Sequence, residues 1–296
     1  MSLEGSFFSG KKYFRDFNKL NSQIEGCFLK EPGPGVIPEK RNNNESITGI
    51  IVPTDDYNLS GFCSAWAYKR IAETMFKDVY IIIGYSNSGD SGILLEDINT
   101  PLGLLKTDTD LGEKLHDLTN ISTDKNLFFQ NYSIESQLPF LKYSSRDKLN
   151  ILKVLCISIG NDISYEQITV ISKAIREILI EKNRSATFIC SSNLVSFGEK
   201  FNYTPFAYNI KESVEDIDYK AIELISSKKA SEFINLILKE ETTIYGYNAI
   251  ALFLELVKES ENNKMLEYYH SDIFNQNKES RDETINFTSY ASFEFE

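Results

Sequence analysis

Histidine and cysteine are scarce in this sequence, which has two histidines and four cysteines in 296 residues. Imidazole and thiolate are the groups that zinc, copper and iron prefer, and histidine is the commonest general base. His116 and His270 lie far apart, and neither has a second ligand-type residue at metal spacing, so we interpret both as surface histidines. A serine triad would need one of them. The composition therefore argues against the common metal and triad chemistries.

The cysteines form no Cys-x-x-Cys pair, and Cys63, Cys156 and Cys190 lie in apolar segments. This pattern is typical of reduced, buried thiols in a cytoplasmic protein. No apolar run approaches the roughly 20 residues that a membrane helix needs, and the amino terminus has no secretory h-region. We therefore expect a cytoplasmic protein without a membrane span.

Positive charge is also in deficit, because 31 basic residues face 43 acidic residues and the net charge at pH 7 is −12. Acidic proteins repel phosphate backbones, so we expect no nucleic-acid partner. The glycine motifs of dinucleotide and phosphate loops are absent. The segment GYSNSG is not a G-x-S-x-G nucleophile elbow either, because two residues separate Ser86 from Gly89.

The segments that are present alternate between strands and helices. Apolar runs predict buried strands at 47–53, 78–84, 151–160 and 186–192, and a last strand at 284–295. Helical spacing predicts helices at 14–28, 60–75, 108–118, 133–141, 164–180, 213–227, 231–239 and 248–259. We expect Ser60 to cap the second of these helices, and Ser164 with Gln167 to form a capping box. The pattern predicts one α/β domain over residues 1–296, a three-layer α/β/α fold with a mostly parallel sheet and an exposed loop at 31–46.

Polar residues follow the first buried strand in the stretch TDDYN, residues 54–58. Loops at the carboxyl ends of parallel strands are the usual place for active sites in α/β proteins. Asp55 and Asp56 in this loop, together with Asp108 and Glu135, could converge on a hard cation such as Mg²⁺ or act as acid and base. Sequence spacing alone does not bring these four carboxylates together.

Eight segments in order resemble the MEMO family. GSFF resembles its Gly-Ser-Phe/Trp-Tyr opening, VPTDDYNLSG its Pro-His-Ala-Gly-Tyr segment, and IIGYSNS its Leu-Gly-Pro-Ser-His-His loop. NTPLGLLKTD and NYSIESQLPFL resemble its Thr-Pro-Leu and Glu-His-Ser-Ile-Glu-x-x-Leu-Pro segments. SSNLVSFGEKFNY, TIYGYNAI and NFTSYASFEF resemble its Ser-Ser-Asp, Thr-Ile-Cys-Gly and Ser-Val-Ser-Tyr-Ala segments. These segments extend from Gly5 to Phe295, and the resemblance implies an α/β/α fold similar to that of class III extradiol dioxygenases.

The resemblance also implies a pocket in which two histidines and a cysteine are proposed to bind iron, copper or zinc. In this sequence those three positions are Thr54, Asn87 and Tyr245. Two further pocket histidines correspond to Tyr132 and Ser196, and the aspartate of Ser-Ser-Asp corresponds to Asn193. Neutral oxygen ligands are weak for such metals, and a tyrosine phenol stays protonated near neutral pH. We therefore expect no bound metal and no cofactor.

Three functional hypotheses follow. The first is a pseudoenzyme of the MEMO family that binds a peptide, a protein or a small ligand at the degenerate pocket, partly filled by Tyr132 and Tyr245. The second is an enzyme that uses the four carboxylates. The third is an interaction scaffold with a closed pocket, in which Tyr203, Phe206 and Tyr208 form an exposed aromatic patch, although packing of these residues in a loop is the favoured interpretation.

Overall fold

The computed structural model describes residues 2–4, 7–86, 89–275 and 285–296. Its strands are β1 (Ser2–Glu4), β2 (Gly49–Val52), β3 (Val79–Tyr85), β4 (Gly92–Leu94), β5 (Asp97–Thr100), β6 (Gly103–Thr107), β7 (Lys153–Ile159), β8 (Ala186–Ser191), β9 (Ser196–Phe197), β10 (Asn263–His270) and β11 (Phe287–Phe295). Its α-helices are α1 (Phe17–Leu29), α2 (Gly61–Glu73), α3 (Thr109–Thr119), α4 (Tyr132–Glu135), α5 (Gln137–Ser144), α6 (Tyr165–Glu181), α7 (Ile210–Ser226), α8 (Ala230–Glu240) and α9 (Tyr247–Leu256). Among these helices none combines the length and the apolar character that crossing a bilayer requires.

The strands form one sheet in the order β1-β5-β6-β7-β3-β8-β2-β11-β10, with β4 paired to β7 and β9 to β11. The central strands β6, β7, β3, β8 and β2 are parallel to one another. β11 and β10 add an antiparallel edge beside β2. Since the central strands are parallel, all their carboxyl ends lie along the same edge of the sheet.

Helices cover both faces of the sheet and separate two apolar cores. Successive residues of β3 point to opposite faces, so Ile81 and Ile83 lie in the core under α6, α7, α8 and α9, while Tyr80 and Ile82 lie in the core under α1, α2 and α5. Both cores include fully buried residues of β7 and β8, which explains the continuous apolar runs in these strands. The predicted three-layer α/β/α fold with a mostly parallel sheet is confirmed. The assignment of residues 1–296 to a single domain stays a prediction.

Several predicted elements differ in their boundaries. α1 begins at Phe17 rather than at residue 14, because the Asp16 side chain caps it by accepting from the Lys19 amide at 2.9 Å. Ser60 occupies the cap position of α2 but makes no capping bond, since its hydroxyl donates to the Asp55 carbonyl at 3.1 Å. The capping box of Ser164 and Gln167 is confirmed at α6.

The strand β10 was missed, and with it the position of His270. Its sequence NKMLEYYH has no clean alternation, because the strand is at the sheet edge and most of its residues are only half-buried. The interpretation of His270 as a surface residue is wrong, since it is buried at the end of β10 with its ring stacked on Phe287. His116 is half-buried, with Nδ1 2.7 Å from the Ile121 carbonyl oxygen.

Candidate functional site

The family-site positions gather at the carboxyl edge of the parallel strands. Thr54 follows β2, Asn193 follows β8, and Tyr132 begins α4, which packs against the end of β3. Gly84 makes that packing possible, because a Cβ atom at this position would lie 2.4 Å from the Ser133 hydroxyl oxygen. A strand residue without a side chain therefore lets α4 approach the sheet and brings Tyr132 beside Thr54.

Thr54 is buried, and its polar atoms are paired inside the protein. Its amide donates to Oδ1 of Asn193 at 2.8 Å, and Nδ2 of Asn193 donates to the Thr54 carbonyl at 2.9 Å. The Thr54 hydroxyl lies 3.0 Å from the Ser136 hydroxyl. A neutral amide in this two-point contact joins the loops after β2 and β8, so Asn193 acts here as a clamp on the backbone.

Tyr132 fills the space between Thr54 and the amino-terminal segment. Its hydroxyl donates to the Asp55 carbonyl at 2.6 Å, and its ring packs edge-on against Phe8 with centroids 4.7 Å apart. Burial, with the negative charges of Asp55 and Asp56, raises the pKa of Tyr132 well above its usual value. The phenol is therefore held neutral as a hydrogen-bond donor.

Ser196 is buried as well, whereas Tyr245 is at the surface. The Ser196 hydroxyl lies 3.0 Å from that of Thr288, and the Ser196 amide and carbonyl both bind the Thr243 hydroxyl. Tyr245 is 46% exposed, and its hydroxyl donates to the Phe201 carbonyl at 3.4 Å. Of the two tyrosines, Tyr132 therefore fills space inside the pocket and Tyr245 lies at its surface. Asn87 lies outside the described residues.

Asp55 binds groups from two distant parts of the chain. Its carboxylate accepts from Lys12 at 2.8 Å, from the Tyr290 hydroxyl at 2.7 Å and from the Asp56 amide at 2.7 Å. Burial opposes the charge, but the Lys12 ammonium and the hydrogen bonds outweigh it, so the pKa of Asp55 lies below its usual value. Asp55 is an ionised anchor at neutral pH.

Glu135 holds the amino-terminal strap, residues 7–13. Its carboxylate accepts from the amides of Phe7 and Phe8 at 3.1 and 2.8 Å and from the Tyr13 hydroxyl at 2.6 Å. Burial raises the pKa of Glu135 despite these bonds. Glu135 was among the candidate carboxylates predicted from the sequence, but its contact with the strap was not predicted. The GSFF motif was the one sequence feature that pointed to this segment.

The four candidate carboxylates do not converge. Asp56 accepts from the amide and side chain of Asn58 within its own turn. Asp108 caps α3 and binds Arg184, and its amide donates to Val154 near the start of β7. The carboxyl end of β7, at Ile159, is about 17 Å away from that point by strand rise. The hypothesis of a shared cation or acid–base site is therefore wrong for Asp108, and Asp55 and Glu135 share no hydrogen-bond partner.

Comparison with known proteins identifies the family. The family model for Memo-like proteins matches residues 6–290. The chain belongs to the Memo-like family. A MEMO1 family protein of Methanobrevibacter smithii is 30% identical over 261 residues, covering 84% of this chain and 86% of that protein. One of Methanococcus maripaludis is 29% identical over 271 residues, covering 88% and 90%.

A solved structure supports the fold. An uncharacterized protein of Escherichia coli K12 superposes with a TM-score of 0.51 at 9% identity, covering 85% of this chain and 100% of that chain. At this identity the likeness concerns the fold alone. The layered architecture is consistent with the dioxygenase-like fold that the family resemblance implies.

The described family positions of this Memo-like chain lack the imidazole and thiolate groups that iron, copper and zinc prefer. The side chains that stand at the family positions in the described residues are hydroxyls and an amide, and Thr54, Tyr132 and Asn193 are engaged with protein partners. Within residues 2–4, 7–86, 89–275 and 285–296, no three histidine, cysteine or acidic side chains are grouped as metal ligands. Each of the four cysteines is free and buried.

A second buried cluster lies beneath the loop that carries Asn193. Asp218 accepts from the Val195 amide at 3.0 Å and from the Tyr268 hydroxyl at 2.9 Å, and that hydroxyl lies 2.8 Å from Nε2 of His270. Burial raises the pKa of Asp218 to about 7 and lowers that of His270. This cluster is not predictable from local sequence patterns, because its members lie on α7 and on the unpredicted strand β10. The cluster holds this loop through the hydrogen bond from the Val195 amide to Asp218.

The aromatic segment after β9 is mostly packed. Tyr203 is buried, Phe206 packs against the core beside Phe197, and only Tyr208 is strongly exposed, at 86%. The prediction of an exposed aromatic patch is therefore wrong. The favoured interpretation, packing of the loop, is confirmed for Tyr203 and Phe206.

Proposed function

We propose that this Memo-like protein is non-catalytic and acts by binding a peptide or small ligand at the rim of its degenerate pocket. The observation that carries the proposal is the pairing of Thr54 with Asn193 and Ser136, since these contacts occupy atoms that an active centre would present to a metal or substrate. Tyr132 adds a neutral plug whose hydroxyl is already bound to Asp55. The buried part of the pocket thereby serves to join neighbouring loops of the protein.

The rim offers groups that are partly accessible to solvent. Tyr245 is 46% exposed, and its single hydrogen bond of 3.4 Å is long enough for a ligand carbonyl to replace. Asn193 is half-buried, and the Lys12 side chain is 38% exposed. Tyrosine, asparagine and lysine at the edge of a closed site suit a ligand rich in hydrogen-bond acceptors, such as an extended peptide.

Metal analysis tests the first half of the proposal. We expect the full chain, purified from cells supplied with iron, copper and zinc, to contain far less than one equivalent of any of them. The matched control is the variant T54H/N87H/Y245C, which restores the family's ligand types and should gain metal. Stoichiometric iron, copper or zinc in the unmodified chain would contradict the proposal.

A peptide selection tests the second half. A phage-displayed library of 12-residue peptides is selected on the full chain, and enriched peptides are measured against Tyr245→Ala and Tyr208→Ala. We expect affinity to fall at least about tenfold in the first variant and to stay unchanged in the second, because Tyr208 is 86% exposed and is not one of the proposed rim residues. Equal binding to both variants, or no enrichment, would favour the closed interaction scaffold instead.

The contacts of the candidate carboxylates support a non-catalytic protein over the enzyme hypothesis. Asp55 is neutralised by Lys12, Glu135 is engaged with the amides of the strap, and Asp108 lies at the opposite edge of the sheet. A general acid or base needs to reach a substrate proton, and these carboxylates reach protein donors.

A further inference from the structure

A row of basic side chains lies at the amino edge of the sheet, opposite the family pocket. Lys153 begins β7, Lys77 lies two residues before β3, and Arg184 lies two residues before β8. Since β7, β3 and β8 are adjacent and parallel, these three cations are brought together by the topology. Lys148, on the segment before β7, joins them.

These residues line an open cavity of about 550 Å³. Phe76 and the 54% exposed Ile151 supply apolar wall, and Asp78 is the acidic residue at the border. A concave site of several hundred Å³ with mixed apolar and charged walls has the dimensions of a small-molecule site. A concentration of cations is notable in a chain with a net charge of −12.

The carboxylates nearby do not neutralise the row. Asp108 is engaged by Arg184 and faces Lys153 at 3.8 Å. Asp78 accepts from the amide and hydroxyl of Ser185 at 2.8 and 2.6 Å. Asp147, next to Lys148, is bound by Arg41 at 2.9 and 3.1 Å. The three carboxylates therefore already have partners, and the row holds four cations.

Two lysines keep charge available for a ligand. Lys77 donates to the Ser46 hydroxyl at 2.6 Å, and in the part of the chain that the structure describes neither Lys77 nor Lys148 forms an ion pair with a carboxylate. Burial lowers the pKa of Lys77, with Asp78 acting in the opposite direction. An anion in the cavity would stabilise this partly desolvated ammonium.

We propose that this cavity binds a soluble phosphomonoester, with the phosphate between Lys77 and Lys148 and the organic part against Phe76 and Ile151. A phosphate dianion offers three strong acceptor oxygens and pairs with lysine as a point charge. The net charge of −12 disfavours nucleic acid and anionic membrane surfaces as sources of that phosphate. The site is separate from the pocket rim, so its success or failure is independent of the proposed function.

Calorimetric titration of the full chain with phenyl phosphate tests the proposal. We expect saturable binding that weakens at higher salt and falls at least about tenfold in K77Q/K148Q. The control K173Q/K239Q removes the same charge from exposed lysines on α6 and α8, whose side chains are 73% and 80% exposed, and should bind like the unmodified chain.

Thermal melting shows whether each variant is folded, and the single variant K148Q, at a half-buried surface position, replaces the double variant if that one unfolds. The proposal is overturned if the unmodified chain gives no saturable binding, or if both double variants lose affinity equally. Binding to phosphatidate-containing vesicles without binding to phenyl phosphate would also overturn it, because the headgroup and not a soluble ester would then be the ligand.

Discussion

The two edges of the central sheet use polar residues in opposite ways. At the carboxyl edge, Thr54, Tyr132 and Asn193 are neutral and bind one another or the backbone. At the amino edge, Asp108 is bound by Arg184, while two lysines of the cavity form no ion pair with a carboxylate within the described residues. These three polar groups, at the edge where a parallel sheet usually carries its active site, are thus paired within the protein, whereas the opposite edge has lysines that no carboxylate pairs among the described residues. Position in a fold indicates where a site can be, and the pairing of its atoms decides whether it still acts as one.

The largest expected effect is a pH dependence of stability that differs between the edges. Asp218, beneath the carboxyl-edge loop, has its pKa raised from 3.8 to about 7 by burial. The folded state therefore binds more protons than the unfolded state between these values, and the stability contributed by Asp218 is complete below pH 3.8 and is lost as pH rises through 7. The loss is about 4 kcal/mol. His270 acts in the opposite direction near pH 6.5, since its pKa is lowered.

Urea unfolding of the unmodified chain and of Asp218→Asn at intervals from pH 4 to 8 measures this contribution. We expect the difference between the two in unfolding free energy to shrink, or to reverse, as pH rises. The amino-edge control is Asp78→Asn, because hydrogen bonds from Ser185 lower the pKa of Asp78 and its contribution is lost only as pH falls below 3.8. A pH-independent difference for Asp218→Asn would show that this carboxyl is ionised throughout.

The next effect concerns Asp108, the buried charge at the amino edge. Asp108→Ala removes the α3 cap and leaves Arg184 without its carboxylate, so we expect a loss of about 3 kcal/mol in unfolding free energy. Urea unfolding at pH 7 measures it. The control is Asp110→Ala, which changes an exposed residue in the first turn of α3 and should alter stability little. A loss below about 1 kcal/mol for Asp108→Ala would mean that this edge is held by other contacts.

A smaller loss is expected for the neutral clamp at the carboxyl edge. Asn193→Ala leaves the Thr54 amide and carbonyl without partners and should cost about 2 kcal/mol. Asn193→Asp restores the residue type of the family motif but sets a carboxylate oxygen against the Thr54 carbonyl, so we expect a similar cost. If Asn193→Asp were as stable as the unmodified chain, the two-point contact would not be what joins these loops.

The smallest effects separate the two pocket tyrosines. Tyr132→Phe removes a 2.6 Å hydrogen bond to the Asp55 carbonyl and should cost about 1 kcal/mol. Tyr245→Phe removes a 3.4 Å bond at the surface and should cost less than about 0.5 kcal/mol. Equal costs, measured by urea unfolding, would contradict the distinction between a buried plug and a rim residue.

Much of the fold was predictable because strands and helices leave local signals. The apolar runs at β2, β3, β7 and β8 and the capping box of α6 were correctly interpreted. β10 escaped because an edge strand with half-buried residues has neither a continuous apolar run nor a strict alternation. Its loss also hid the partners of Asp218.

The sequence was sufficient to predict where the site lies, but not which residues contact one another there. The sequence by itself determined that Thr54 and Asn193 follow parallel strands, and that neutral side chains stand where the family pattern has metal ligands. Only the tertiary structure decided that Asn193 clamps Thr54, that Glu135 holds the strap through Tyr13, and that Asp108 lies at the far edge. The physical reason is separation along the chain. Apolar periodicity reflects a few neighbouring residues, whereas the Asn193–Thr54 and Tyr13–Glu135 hydrogen bonds join residues more than 100 positions apart.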